Sequence, residues 1–116
     1  MEDAQEIYNN KILIHMVIYN VTINVESSVH DEWFDWMKNI HIPEVLETGL
    51  FIDGKMLKLK DPHPDEGVTY AIQYTLTSME KLDKYKKDFA PALQKKTADK
   101  YAGKFHAFRS VLETVD

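Results

Sequence analysis

The stretches VIYNVTINV at residues 17–25 and VTYAIQYTL at residues 68–76 decide the fold of this 116-residue chain. In both, β-branched and aromatic side chains alternate with other residues, and a period of two is typical of a strand with one buried face. The shared faces are Val17, Tyr19, Val21, Ile23 and Val25 in the first stretch and Val68, Tyr70, Ile72, Tyr74 and Leu76 in the second. Both stretches therefore predict strands of one sheet.

A helical pattern follows the first strand. Ser28 begins an S-x-x-D pattern that predicts a helix N-cap. The apolar face of the predicted helix consists of Trp33, Trp36, Met37 and Ile40. We expect Pro43 to break this helix near residues 39–41 and to begin a short second helix that ends at Gly49.

The same order of elements repeats in the second half of the chain. Residues 50–60 predict a strand with a bend at Gly54, and the segment KDPHPDEG predicts a solvent-facing loop. After the strand at 68–76, Thr77 opens a T-x-x-E capping box. A helix interrupted at Pro91 and a last strand over residues 104–115 complete the series.

The order β-α-β-β-α-β predicts a ferredoxin-like α+β domain, with a four-stranded antiparallel sheet and its helices on one face. The opposite face of the sheet carries polar residues such as Asn20, Thr22 and Gln73, whereas the last strand is apolar on both faces. A strand that is apolar on both faces indicates that something covers the open face. We expect a second copy of the sheet there, which predicts a homodimer.

Composition excludes several classes of protein. Hydrophobic residues make up 44% and charged residues 28%, which are values of a single globular domain. Without cysteine the chain has no disulfides, thiol nucleophile or cysteine-ligated metal. The acidic first ten residues resemble no secretory signal, and the apolar residues 12–25 are too short to span a bilayer. A cytoplasmic protein without membrane contact is expected.

The first fifteen residues differ from the rest. They are interpreted either as an upstream extension, with Met16 as the natural start, or as an N-terminal arm that lengthens the first strand. The domain itself is expected to cover residues 16–116.

Several segments together resemble a known family. The phrases YNVTINV, HDEWFDWMKNIHIPEVLETGLF, VTYAIQY and FHAFRSVLE are similar to short bacterial proteins of domain of unknown function 4286, from about Met16 onward. The resemblance implies the dimeric α/β-barrel form of the ferredoxin-like fold, in which two sheets pack face to face. It implies no particular activity, and no cofactor is expected.

Cofactor-independent monooxygenases share that barrel architecture. They combine an Asn on the first strand with a Trp and a His near the second helix. Asn20 or Asn24 supplies the first element, but the second helix of this chain contains neither Trp nor His. The departure argues against haem degradation.

Aromatic residues point to a candidate ligand pocket. The tyrosines of the two main strands share a face, beneath a helix that carries two tryptophans, and buried hydroxyls need polar partners. His41 and Arg109, the chain's single arginine, are the candidate partners. The alternative is that the tyrosines are amphipathic core residues. The predicted ligand-binding set is Tyr19, Trp36, His41, Tyr70, Tyr74 and Arg109.

Two of these residues allow more than one role. His41 is either a general base or a residue that caps a helix end or binds a backbone carbonyl. Arg109 either holds an anion or pairs with Glu44, Glu47 or a carboxylate of the dimer partner. The catalytic residues, if the protein has any, are left open.

Metal and nucleic-acid sites are not expected. His41-x-x-Glu44 and His63-x-Asp65-Glu66 match no recognised ligand spacing. The eight lysines between residues 81 and 104 are interleaved with acids, and the chain carries a net charge of −5. A solvated helix face explains the lysines better than a nucleic-acid surface.

Three functional hypotheses follow. The first is a small-molecule-binding or regulatory dimer that uses the aromatic pocket. The second is a cofactor-independent oxidoreductase, monooxygenase or isomerase of the barrel type, with His41 or a tyrosine as acid or base. The third is a protein-interaction module without catalysis.

Overall fold

The computed structural model describes residues 15–115 and contains a four-stranded antiparallel sheet in the order β2-β3-β1-β4. The strands are β1 (Val17–Val25), β2 (Asp53–Lys58), β3 (Val68–Leu76) and β4 (Phe105–Glu113). The two strands with the clearest alternation, β1 and β3, lie at the centre, and the helices cover one face. The predicted ferredoxin-like α+β fold is confirmed.

The helices begin at positions slightly different from those predicted. They are a 3₁₀ turn (Ser27–Val29), α1 (His30–Trp36), a π-helical segment (Met37–His41), α2 (Ile42–Leu46), α3 (Met79–Asp88) and α4 (Ala90–Tyr101). The Ser28 hydroxyl donates to the Glu26 carboxylate and does not cap α1, so that cap prediction is wrong. The cap of α3 is Ser78, which accepts from the Lys81 amide, and not Thr77. In both cases the capping pattern was placed a residue or two too early.

Pro43 does not break the first helical region, contrary to prediction. The chain stays helical through the π segment, and His41 has helical dihedral angles (φ −69°, ψ −52°). The Ile42 amide donates to the Met37 carbonyl five residues back, which widens the turn just before Pro43. Pro43 then occupies the first turn of α2, where its fixed φ suits the helical conformation. Gly49, at φ +78°, follows α2 as predicted.

Each residue of β1 is paired with a residue of β3 and a residue of β4 whose side chains lie on the same face of the sheet. Tyr19 lies opposite Tyr74 on β3 and Val111 on β4. The core lies between this face and the helices, and each large side chain buried there stabilises the fold by about 1.5–3 kcal/mol. The most deeply buried side chains are Trp33, Ile72, Leu76, Leu82, Val25 and Val45.

Strand β2 is shorter than predicted, and Gly54 lies within it and not at a bend between two parts. A Cβ atom on Gly54 would come within 2.9 Å of the Tyr74 ring. Glycine is therefore required here because the Tyr74 ring packs directly against the backbone of its neighbour on the sheet.

The open face of the sheet has a polar centre and apolar flanks. The Asn20 amide donates to Thr22 and Ser110 and accepts from Gln73. The exposed apolar side chains on this face are Leu57, Leu59, Phe108 and Leu112.

The two ends of the described chain meet where the start of β1 lies beside the end of β4. The Met16 amide donates to the Thr114 hydroxyl, and the Thr114 amide donates to the Met16 carbonyl. The N-terminal extension or arm expected for residues 1–15 lies outside the described residues except for His15. No helix within residues 15–115 is long and apolar enough to cross a membrane.

Candidate functional site

A cavity of about 60 Å³ lies between the helices and the sheet. Its floor is the helix-facing side of β1, β3 and β4, and its roof comes from the π segment, α2, α3 and α4. The residues that line it are Tyr19, Val21, Ile23, Met37, His41, Val45, Ile72, Tyr74, Tyr85, Leu93, Gln94, Thr97, Phe105, Ala107 and Arg109. Most of these side chains are apolar, and the few polar groups among them define where a ligand could be recognised.

His41 contributes the most unusual of these polar groups. The π segment carries it to the cavity, and its ring stacks on Trp36 with a centroid distance of 4.9 Å. Its Nδ1 atom is buried and has no hydrogen-bond partner among the described residues. An unpaired buried polar group costs about 1–3 kcal/mol, so this atom favours any molecule in the cavity that can pair with it.

The surroundings of His41 keep its ring neutral. Burial lowers the pKa of His41 to about 4, an effect that Glu44 opposes and that the positive charges of Lys96 and Arg109 reinforce. At neutral pH the imidazole is therefore uncharged, with one nitrogen that donates and one that accepts a hydrogen bond. Glu44 is itself held by Lys96, whose Nζ lies 2.6 Å from the Glu44 Oε2.

Three tyrosines form the inner part of the site. The Tyr19 ring lies 6.4 Å from Tyr74 and 5.8 Å from Tyr85, measured between ring centroids. Burial raises the pKa of Tyr74 and Tyr85, and the neighbouring hydroxyls raise it further. All three phenols therefore stay protonated at neutral pH and can donate hydrogen bonds.

The site reaches solvent between α4 and the edge strand β4. Gln94 on α4 and Arg109 on β4 both line the cavity and are exposed. Burial raises the pKa of Tyr19, whereas Arg109 and Gln94, which interact with its hydroxyl, lower it. The guanidinium therefore places a positive charge at the entrance, beside the Tyr19 hydroxyl.

The structure brings together four of the six residues predicted for ligand binding. These four, Tyr19, His41, Tyr74 and Arg109, all line the cavity. Trp36 does not line it but stacks on His41 and contacts Tyr101.

Tyr70 lies elsewhere, although it shares a strand face with Tyr74. Its hydroxyl is 2.7 Å from His30 Nε2, and its ring packs on Trp33. Tyr70 packs beneath α1, whereas the roof of the cavity comes from the π segment, α2, α3 and α4. Tyr70 is therefore not part of this site.

Of the pairings considered for Arg109, neither that with Glu44 nor that with Glu47 forms among the described residues, and Glu44 pairs instead with Lys96. Arg109 forms no ion pair with a described residue and remains available to an anion.

Sequence reasoning did not assign Tyr85, Gln94 and Thr97 to the site. Tyr85 lies on the apolar face of α3, where helical spacing signals burial but not a ligand. Gln94 and Thr97 are three residues apart on α4, so they lie on one face of that helix. This three-residue spacing can be seen in the sequence, but only the packing shows that this face of α4 meets the tyrosines.

Other candidate sites receive little support. Residues 15–115 contain no group of three or more His, Asp or Glu side chains positioned for a metal ion. Many of the lysines on the second half of the chain are paired with carboxylates, which fits a solvated face. The paired lysines are Lys84, Lys95, Lys96, Lys100 and Lys104.

Solved structures with this fold come from several organisms. A conserved protein of unknown function and possible oxidoreductase from Bacteroides thetaiotaomicron VPI-5482 has a TM-score of 0.62 at 15% identity, covering 86% of this chain and 98% of that one. An ethyl tert-butyl ether d (ethd) family protein from Bacillus halodurans C-125 has a TM-score of 0.59 at 15% identity, with coverages of 81% and 96%.

A third similar structure is a dimeric ferredoxin-like protein from an uncultured marine organism, with a TM-score of 0.55 at 9% identity and coverages of 88% and 96%. At these identities the likeness shows the fold alone. Among curated proteins, none matches this chain.

The sequence family is established by a separate comparison. The model of the family described as domain of unknown function (DUF4286) matches residues 16–115, which include every element of the sheet and the helices. The chain belongs to the DUF4286 family.

Proposed function

We propose that this protein binds a small molecule in the cavity between its helices and its sheet. The observation that carries the proposal is that His41 lines the cavity while its buried Nδ1 has no hydrogen-bond partner among the described residues. If this part of the core served stability alone, burial of the unpaired atom would only lower the free energy of unfolding. A ligand that pairs with it removes the cost.

The geometry narrows the class of ligand. A volume of about 60 Å³ has room for roughly four to six water-sized groups, so the part of the ligand that enters is small. The tyrosine hydroxyls and the Arg109 guanidinium are hydrogen-bond donors. We therefore expect a compact molecule with acceptor oxygens, such as a short carboxylic acid or a carbonyl compound, whose acceptor end faces Arg109.

Binding is better supported than acid–base catalysis. A general base is most effective when its pKa is close to the working pH. The pKa of His41, at about 4, is far below neutrality, so the imidazole is a weak base there. The oxidoreductase or isomerase hypothesis instead predicts turnover that disappears on substitution of His41.

Native mass spectrometry of the protein purified gently from its host tests the proposal. We expect an additional bound mass on the wild-type chain. His41→Gln and Tyr74→Phe should lose it, with occupancy at least tenfold lower. Two matched controls, His106→Gln on the open face and Tyr70→Phe outside the cavity, should retain it.

Two results would overturn this assignment. One is a bound mass that survives both cavity substitutions. The other is a bare wild-type chain that also fails to bind acetate, propionate and acetone added at millimolar concentration, when binding is followed by the NMR signal of the His41 ring nitrogens.

We also propose that the open face of the sheet pairs with a second copy of this chain. Phe108 is 65% exposed and Leu112 is 45% exposed on that face, and both flank a polar centre that is already satisfied internally. The similar structure from the marine organism is described as dimeric. A two-fold dimer places the same patch on both sides of the interface.

Light scattering coupled to gel filtration tests the dimer. At a protein concentration of about 50 μM, the wild type should elute with twice the mass of one chain. Phe108→Glu should shift it to the monomer, whereas Met79→Glu, at another exposed apolar position on α3, should not. A monomeric wild-type protein, or equal effects of both substitutions, would contradict the proposed interface.

A further inference from the structure

A second concave surface lies outside the cavity, between the α1–α2 region and strand β2. It encloses about 480 Å³ and shares no lining residue with the cavity described above. Its apolar walls are Phe34, Ile42, Met56 and Tyr70. We call this surface the β2 groove. Its volume falls within the range of about 300–1,000 Å³ that is usual for small-molecule sites.

The walls of the β2 groove are held in place by contacts behind them. Tyr70 is buried, its hydroxyl lies 2.7 Å from His30 Nε2, and its ring stacks on the imidazole. Phe34 packs against both rings, with centroid distances of 5.8 Å to Tyr70 and 5.9 Å to His30. Gly54 offers no side chain that would fill the floor, because the Tyr74 ring leaves no room for a Cβ atom there. The groove is therefore largely preformed.

The charges at the rim of the β2 groove have one sign. Lys38, Lys55 and Lys58 line it, all three are exposed, and none forms an ion pair with a described residue. No acidic residue lines the groove, although acids outnumber bases by 19 to 14 in the whole chain. Lys38 Nζ lies 5.9 Å from the centroid of the Phe34 ring, so its charge is directed over the apolar wall.

We propose that the β2 groove is a second binding site, for an organic anion with a flat or aliphatic apolar body. The apolar body would pack on Phe34, Met56 and Tyr70. The anionic group would lie between Lys38 and Lys58, where two unpaired ammonium groups can neutralise it. Carboxylates, sulfonates and phosphate esters share this chemistry.

The test uses 8-anilinonaphthalene-1-sulfonate as the anionic probe and the uncharged N-phenyl-1-naphthylamine as its matched neutral probe. Backbone NMR shifts should change most at residues 34–42, 54–58 and 70 on addition of the anion. Affinity is measured by fluorescence at low ionic strength, because salt screens exposed charges. The affinity for the anion should fall with added salt.

A charge-matched pair of variants separates a site from general attraction. The double variant Lys38→Gln/Lys58→Gln should bind the anionic probe about tenfold more weakly than the wild type. The double variant Lys86→Gln/Lys87→Gln on α3 should change the affinity for this probe less than twofold. The neutral probe should bind both variants as it binds the wild type. These substitutions leave the cavity residues untouched, so the outcome does not depend on the function proposed for the cavity.

Three results would overturn the proposal. The first is an equal loss of affinity for the anionic probe in both double variants, which would mean that the probe responds only to the net charge of the protein. The second is a set of NMR shifts centred on Phe108 and Leu112 of the open face. The third is a loss of affinity for the neutral probe in Lys38→Gln/Lys58→Gln that is as large as the loss of affinity for the anionic probe.

Discussion

The two faces of the sheet differ in which groups are left without a partner: polar atoms on the helix-facing side and apolar side chains on the open side. On the helix-facing side, most large apolar side chains are buried, but two polar atoms, His41 Nδ1 and Trp33 Nε1, are left without a partner among the described residues. On the open side, polar groups satisfy one another around Asn20, whereas apolar groups such as Phe108 remain exposed. A ligand would complete the first face and an apolar partner would complete the second. The comparison explains why one sheet gives rise to two separate proposals.

The largest expected difference between the faces is in stability. Ile72→Ala, at a position 2% exposed beneath the helices, should lower the free energy of unfolding by about 2–5 kcal/mol. Leu112→Ala, 45% exposed on the open face, should cost less than about 1 kcal/mol at dilutions where the chain is monomeric.

Urea denaturation at two protein concentrations checks this pair. The cost of Leu112→Ala should increase at the higher concentration if a second copy covers the open face, and the cost of Ile72→Ala should remain large at both. A cost of Leu112→Ala as large as that of Ile72→Ala in the dilute monomer would show that the two faces do not differ in this way.

The helix-facing side should also show a distinct dependence on pH. The unfolded chain takes up a proton at His41 near pH 6.5, whereas the folded chain does so only near pH 4. Stability from this residue is therefore complete above pH 6.5 and is lost as the pH falls toward 4. The loss reaches about 3 kcal/mol.

His41→Gln provides the comparison, because glutamine does not titrate. The difference in unfolding free energy between wild type and variant should shift by about 3 kcal/mol in favour of the variant between pH 7 and pH 4. A constant difference across that range would mean that His41 is protonated in the folded protein as easily as in the unfolded one.

The smallest expected effect concerns the polar centre of the open face. Asn20→Ala removes three side-chain hydrogen bonds and should cost about 1–3 kcal/mol, since Gln73 loses its acceptor. Ser110→Ala removes only one of them, so we expect a cost below about 1 kcal/mol. Thermal unfolding of both variants checks the order, and a reversed order would show that Asn20 is not the centre of this network.

Part of the candidate site could be predicted from the sequence. Alternation in the two main strands places Tyr19 and Tyr74 on the same buried face, and both line the cavity. The same argument failed for Tyr70, because alternation fixes the face of a residue but not which helix packs above it. Trp36 failed for a related reason, since helical spacing marks it as apolar but does not say whether it meets the sheet or the ring of His41.

The ferredoxin-like order of strands and helices and the buried face of each main strand were determined by the sequence alone. These features depend on local periodicity and on turn residues, which are properties of neighbouring positions along the chain. Tertiary structure decided the rest: the wide turn that carries His41 to the cavity, the entry of Gln94 and Thr97 into its wall, and the lysine-rimmed groove beside β2. The cavity wall and the groove join residues far apart in sequence, so only the packing of helices on the sheet brings them together. The wide turn is local, but no repeating pattern of side chains marks it.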